Sequence, residues 1–309
     1  MRYGLALPNY GALAGPENLL RLARRAEDCG VDSVWVSDHV IIPEHAASIY
    51  PYDPSPQPSP ALLQRLEQFY DALTTLAFVA GATTRVRLGV SVYVVPIRNP
   101  ILTAKIVASL DALSRGRVIF GCGVGWLREE FDALHAPFDD RGARTDEYLR
   151  ICQALWTQDA VALPGPLYAT AAVRARPKPH QQPYPPIWIG GNSNAALRRT
   201  VRLGSGWHPI DLSPAAIASK RAVLRALCDA AGRDPAEITI SMRGTLRFTA
   251  AEMQSRTLPL AGTPQKIRDD VAAYAAAGVE YLVLNLRDAK TLDEMIAQLE
   301  RVAGEVMRG

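Results

Sequence analysis

Apolar positions along the chain alternate between two rhythms. Short apolar runs of strand type occur at RYGLALP (2–8), SVWVSDHV (33–40), VRLGVSVYV (86–94) and RVIFGCGVG (117–125). They continue at PIWIGG (186–191), GWHPI (206–210), ITISMRGTLRF (238–248) and YLVLNLR (281–287). Between them the period lengthens to that of an amphipathic helix. One helix is predicted from Pro16, carrying Leu19, Leu22, Ala23, Ala26 and Cys29 and stopped by Gly30. Others are predicted from about Phe69 (Leu73, Leu76, Ala77, Ala80) and around Leu102, Ile106, Leu110 and Leu113. Leu149, Cys152 and Trp156 mark the next, and a short one covers 193–203. Ile217–Ala231, Ile267–Gly278 and Leu292–Val306 complete the set. Eight strand–helix units whose strands are mostly apolar throughout predict an α/β fold, a (β/α)8 TIM barrel in one domain over 1–309. A doubly wound sheet is the alternative.

Three stretches break the rhythm and are read as insertions at the barrel rim: 43–68, 164–186 and 249–263. The first holds PYDPSPQPSP, with five prolines in ten residues, which excludes regular structure. The first and third directly follow strands, and in a barrel such loops build the active-site face. They are lid or pocket-wall candidates, or plain surface insertions. The second is Pro-rich and basic (Arg174, Arg176, Lys178), so these cations are candidates for the pocket mouth, with a solvated loop as the alternative.

Composition adds exclusions. The 309 residues are 48% hydrophobic and 21% charged, with a net charge of +3, the profile of a globular protein. No apolar run is long enough for a transmembrane helix, and the N-terminus lacks signal-peptide form, so a cytoplasmic location is expected. The small charge and the lack of a basic–aromatic array argue against nucleic acid. The four cysteines show no metal or redox spacing. Of the 34 basic residues only Lys105, Lys178, Lys220, Lys266 and Lys290 are lysines, and none falls at a strand C-terminus. A Schiff-base mechanism is therefore unexpected, and no His-x-His pair follows the first strand to hold a metal.

Candidate chemistry gathers at the strand ends. The second strand runs into Ser37-Asp38-His39, and a rim histidine suits acid–base work, although it also suits a hydrogen-bonded core role. Gly123, Val124, Gly125 and Trp126 follow the fourth strand, and Gly190, Gly191 and Asn192 the fifth. Two glycine-rich strand-to-helix turns on neighbouring strands suit a phosphate-bearing ligand, although neither has dinucleotide or P-loop spacing. Asn9, Trp126 and His208 are candidates for a substrate pocket. Arg141 and Arg144, at a helix start, are expected to pair locally.

In their order, SVWVSDH, LGVSVYVVPIRNP, DALSRGRVIFGCGVGWLREEF, DDRGARTDEYL, PPIWIGGNSNAALRR and LGSGWHP resemble the bacterial luciferase-like monooxygenase superfamily, most closely its actinobacterial branch that uses the deazaflavin coenzyme F420. The resemblance spans nearly the whole chain. It implies a (deaza)flavin across the strand ends, with its phosphate at the Gly123–Gly125 and Gly190–Gly191 turns. Asp38 and His39 would lie beside the tricycle, His39 nearest the hydride-transfer atom, and a non-prolyl cis peptide at Ser91-Val92 would form a bulge under the ring. The implied activity is hydride transfer between F420 and a small organic substrate, by a homodimer. An FMN-dependent monooxygenase needing a flavin reductase, or a non-catalytic flavin-binding protein, are the alternatives. Trp126 stands where the family's glucose-6-phosphate dehydrogenases carry an acid, and no lysine matches their sugar-phosphate contacts. A less charged substrate is expected.

Overall fold

A computed structural model describes residues 1–52, 66, 68–250, 260–286 and 288–307. Its elements, in chain order, are β1 (Arg2–Ala6), α1 (Pro16–Asp28), β2 (Ser33–Val36), α2 (Ala72–Ala80), β3 (Arg87–Val90), β4 (Tyr93–Val94), α3 (Pro100–Leu113), β5 (Val118–Gly123), α4 (Arg128–Ala133) and α5 (Arg141–Thr157). There follow β6 (Val161–Pro164), β7 (Ala169–Val173), β8 (Ile187–Gly190), α6 (Asn194–Leu203), β9 (Gly206–His208), α7 (Pro214–Ala231), β10 (Thr239–Phe248), β11 (Leu260–Gly262), α8 (Pro264–Ala277), β12 (Tyr281–Asn285) and α9 (Leu292–Glu305). Strands β1, β2, β3, β5, β8, β9, β10 and β12 pair in parallel around a ring that closes from β12 to β1, which is the TIM barrel expected.

The helices begin where short side chains satisfy their open N–H groups. Asp71, Asn99, Ser193, Ser213, Thr263 and Thr291 each accept from a backbone N–H in the first turn, and proline follows Asn99, Ser213 and Thr263. Inside the barrel, Trp35, Ile119, Trp188, Tyr281 and Val283 form their own cluster. The two indoles stack with ring centroids 5.3 Å apart. Glycines make room for them: a Cβ on Gly89 would lie 2.3 Å from Trp35, and one on Gly206 2.4 Å from Trp188. Alanine at either position would have to displace a packed indole.

The structure revises several boundaries. The second strand ends at Val36, so Ser37, Asp38 and His39 lie just beyond it. The third is split by Ser91-Val92 into β3 and the short β4, which pairs with β5. The stretch 164–186 is not a rim loop. It begins in an antiparallel hairpin of β6 and β7 and connects α5 to the start of β8. Gln181 ties it to the opposite end of the barrel, bonding Asp111 and the Val118 carbonyl at the start of β5. Most of the Pro-rich run (53–65) and most of 249–263 (251–259) lie outside the described residues.

Candidate active site

A cavity of about 1050 Å³ opens at the C-terminal ends of the barrel strands. That is at the upper limit for a single small-molecule pocket, so a cofactor and a second molecule fit together. Its floor is the Ser91-Val92 linkage, a cis peptide as the resemblance implied. Val92 wedges between Gly123 and Gly190, where a Cβ would come within 2.4 and 2.6 Å of its methyls.

Beneath the floor runs a chain of hydrogen bonds. Arg243 donates through Nη1 to the Ser91 carbonyl (2.7 Å), the Ser91 Oγ (3.3 Å) and the Ser37 Oγ (3.1 Å). Ser91 Oγ lies 2.7 Å from His208 Nε2, and His208 Nδ1 lies 2.6 Å from Ser241 Oγ. Ser241 donates onward to the Trp207 carbonyl at 3.3 Å. Ser241 therefore accepts from His208 Nδ1–H, and His208 Nε2 accepts from Ser91. Burial, reinforced by the Arg243 charge, pushes the His208 imidazole down to about 3, so it stays neutral. It borders the cavity, but both ring nitrogens are engaged and it stacks on Trp35 at 5.1 Å. His208 supports the floor rather than titrating against a substrate.

His39 and Asp38 turn to different partners. His39 Nδ1 lies 2.9 Å from Oε2 of Glu130, a carboxylate only 1% exposed, in the first turn of α4. The other Glu130 oxygen accepts the Val40 N–H at 2.6 Å and the Ile41 N–H at 3.4 Å. With Nδ1–H directed to Glu130, His39 offers Nε2 to the cavity it lines. Asp38 is held from the other side: Arg98 bonds both carboxylate oxygens at 2.7 Å, and the Val94 N–H adds a third bond at 2.8 Å. Burial pushes the Asp38 carboxyl upward and the Arg98 guanidinium opposes it. With every bond to it fixed by the fold, Asp38 anchors the strand end.

The two glycine-rich turns meet across the cavity, which Gly123, Val124, Gly125, Trp126, Gly190, Gly191 and Asn192 all line. Asn192 is pinned by two bonds to the Ile210 backbone at 2.9 and 3.0 Å. The helix after Gly125, α4, does not present a free N-terminus. Its first turn holds Glu129 and Glu130, and the Arg128 N–H donates to Ser48 Oγ at 2.9 Å. Arginines supply the positive charge instead. Arg144 pairs with Asp140 at 2.6 Å, as expected. Arg141 does not pair: it lies 3.9 Å over the Phe138 ring and gives Nη1 to the Phe138 carbonyl. Among the described residues, buried side-chain nitrogens without a partner occur at two places, Arg141 Nε and Arg243 Nε, and both residues line this cavity. Arg174, Arg176 and Lys178 do not reach it. Arg176 pairs with Asp159 at 2.5 Å, and Lys178 bonds the Leu155 and Gln158 carbonyls.

Asn9 is also corrected. It is fully buried, and its amide joins Ser37 and the Tyr70 carbonyl, stapling the ends of β1 and β2 without lining the cavity. None of the five lysines lines it either. The sequence reading did not find Glu130, Arg98 and Arg243. Glu130 and Arg98 sit 91 and 60 residues from their partners, with no local pattern to couple them. Arg243 did leave a signal: with Thr239, Ser241, Thr245 and Arg247 it occupies the alternate, polar positions of the strand. Among the described residues no three His, Cys, Asp or Glu side chains gather to hold a metal, and no helix is long and apolar enough to cross a membrane.

The model of one family, described as luciferase-like monooxygenase, matches residues 1–254. An uncharacterized protein of Mycobacterium tuberculosis is 35% identical over 186 residues, 60% of this chain and 62% of its own length. The F420-dependent glucose-6-phosphate dehydrogenase of Amycolatopsis mediterranei is 32% identical over 62% of this chain and 53% of its own. This chain thus matches under two thirds of the length of each. Among solved structures, the monooxygenase RslO1 from Streptomyces bottropensis superposes with a TM-score of 0.82 at 22% identity, covering 100% of this chain and 99% of that one. The coenzyme F420-dependent tetrahydromethanopterin reductase from Methanopyrus kandleri superposes at 0.77 with 18% identity, covering 99% and 98%. At these identities the two structures establish the shared fold.

Proposed function

The chain belongs to the luciferase-like monooxygenase family, and from that premise we propose that it is an F420-dependent oxidoreductase acting on a small, weakly charged organic substrate. One observation carries the reading. The two described residues with partnerless buried nitrogens, Arg141 and Arg243, border one cavity with a histidine whose orientation a buried glutamate fixes. Both guanidiniums line the cavity, where an anionic or oxygen-rich ligand complements their charge. The residues present therefore fit a phosphate-bearing tricycle: a flat floor at Ser91-Val92, arginines for acidic groups and a cavity long enough for both parts. The 32% identical dehydrogenase that uses F420 supports the same cofactor.

A bound deazaflavin supplies or accepts a hydride. The chain's own residues do the rest. Glu130 holds His39 with the proton on Nδ1, so Nε2 faces the reacting oxygen and gives or takes its proton. The Asp38–Arg98 pair fixes the backbone from which His39 projects. Arg243, Ser91 and His208 keep the floor rigid, and His208 stays neutral there. Trp126, in place of an acid, argues against glucose 6-phosphate. A second reading, an FMN-dependent monooxygenase served by a flavin reductase, is supported by the 0.82 superposition on a monooxygenase. The exposed apolar residues Phe78 on α2 and Leu102, Ile106 and Leu113 on α3 support a homodimer, and a cytoplasmic location is part of the same proposal.

The test is a screen of alcohols with oxidised F420 and carbonyl compounds with reduced F420, followed by the deazaflavin absorbance. The expected result is turnover of at least one neutral substrate, reduced about 10²-fold or more in His39→Asn. Turnover with FMN, reductase and O₂ but none with F420 overturns the proposal.

A further inference from the structure

The upper wall of the cavity has a composition that hydride transfer alone does not require. Tyr10, Phe69, His39, Trp126, Tyr50 and Tyr52 follow one another as a continuous arc of rings, and all six line the cavity. Tyr10 stacks on Phe69 at 5.0 Å with 9° between planes. Phe69 meets His39 edge-on at 5.5 Å, and His39 meets Trp126 edge-on at 6.0 Å. Tyr50 closes on Trp126 at 5.0 Å and on Tyr52 at 5.4 Å. The arc spans the mouth. It starts beyond β1, passes the end of β2, and reaches the turn after β8, where the Tyr52 oxygen meets the Asn192 backbone. Burial beside Tyr50 pushes that phenol up to about 12, so it stays uncharged.

Two glutamates hold the loop that carries Tyr50 and Tyr52. Glu129 accepts from the Ala47 N–H (2.6 Å), the Ser48 N–H (3.1 Å) and the Ser48 hydroxyl (2.7 Å). Glu130 accepts from His39, Val40 and Ile41. Both carboxylates are thus occupied by the protein. Along the arc a substrate meets ring faces and edges, the hydroxyls of three tyrosines, and one imidazole, His39. The Arg243 and Arg141 guanidiniums border other parts of the same cavity, at the floor and beside Phe138.

We propose that this arc selects a planar aromatic substrate, held by its π-faces against Phe69, Trp126 and Tyr50 and oriented by a single oxygen function at His39. The inference rests on reading the cavity as a site for cofactor and substrate together. Aromatic rings prefer stacked and edge-to-face partners over saturated rings of equal size, and six rings of the arc line the cavity. A saturated ring buries at least as much apolar area but gains no such geometry, so hydrophobicity alone would not favour the aromatic molecule.

The experiment is calorimetric titration of the full-length protein with 2-naphthol and with decahydro-2-naphthol. It is run once without cofactor and once saturated with whichever of F420 or FMN binds. The expected result is at least about fivefold tighter binding of 2-naphthol, with the preference cut at least threefold in Phe69→Leu and in Tyr50→Leu. Equal or tighter binding of the saturated alcohol by the wild type overturns the proposal, as does a preference that survives in both leucine variants. If a variant does not fold, the wild-type pair decides alone. If neither cofactor binds while the aromatic preference holds, the proposed function fails and this inference stands.

Discussion

His208 supplies a quantitative test of the cavity floor. The unfolded chain accepts a proton on this imidazole near 6.5, whereas the folded protein, where the ring is buried beside Arg243, resists until about 3. Between those values the unfolded state binds more protons, so stability is fully present above about 6.5 and falls as pH falls. At pH 5 the unfolded imidazole is almost wholly protonated and the folded one almost wholly neutral. The loss is then about 1.5 pKa-equivalents, or about 2 kcal/mol. This figure barely depends on the folded value as long as that value stays well below 5. The assay is urea unfolding by circular dichroism at pH 7.5 and pH 5, for the wild type and His208→Asn. The variant starts less stable, because Ser91 and Ser241 each lose a partner. Its drop between the two pH values should nevertheless be smaller than the wild type's by about 2 kcal/mol. Equal drops would mean that His208 charges freely in the folded protein, and the neutral-floor account would fail.

Other perturbations reach the remaining parts of the site. Glu130→Gln sets an amide donor against either His39 Nδ1–H or the Val40 N–H, so turnover should fall about 10²-fold with cofactor affinity little changed, as steady-state kinetics and a binding titration would read. Arg141→Met should weaken cofactor binding by about tenfold or more, the size of one charge-assisted hydrogen bond, and should flatten the salt dependence of the dissociation constant. Leu102→Asp should convert a two-copy species to single chains in analytical ultracentrifugation, and a wild type that already sediments as one copy would remove the dimer proposal.

The fold was legible because its signals are local. The barrel helices announced themselves by 3.6-residue periodicity and the parallel strands by uniform apolar runs. The β6–β7 hairpin was missed because Pro164, Gly165 and Pro166 read as a breaker, whereas in the structure Pro164 ends β6 and Gly165 and Pro166 lie in the turn before β7. The glycine-rich turns after β5 and β8 were legible from the residues themselves, and the Ser91-Val92 cis peptide from the family resemblance. The site was illegible where function depends on pairing across the barrel. Nothing near His39 in sequence identifies Glu130, and nothing near Asp38 identifies Arg98. Arg141 was expected to pair locally from its helical spacing, yet only Arg144 points at Asp140, because Arg141 turns toward Phe138 and the cavity. Side-chain direction on a first helical turn is a tertiary property, and sequence spacing does not carry it.

The central claim is that this cavity is built for a deazaflavin. Side-by-side calorimetric titration of the same protein with oxidised F420 and with FMN tests it most directly. The account predicts micromolar or tighter binding of F420, weakening steeply with added salt, and at least tenfold weaker binding of FMN. Tighter binding of FMN, or no binding of either cofactor at micromolar concentration, would contradict it.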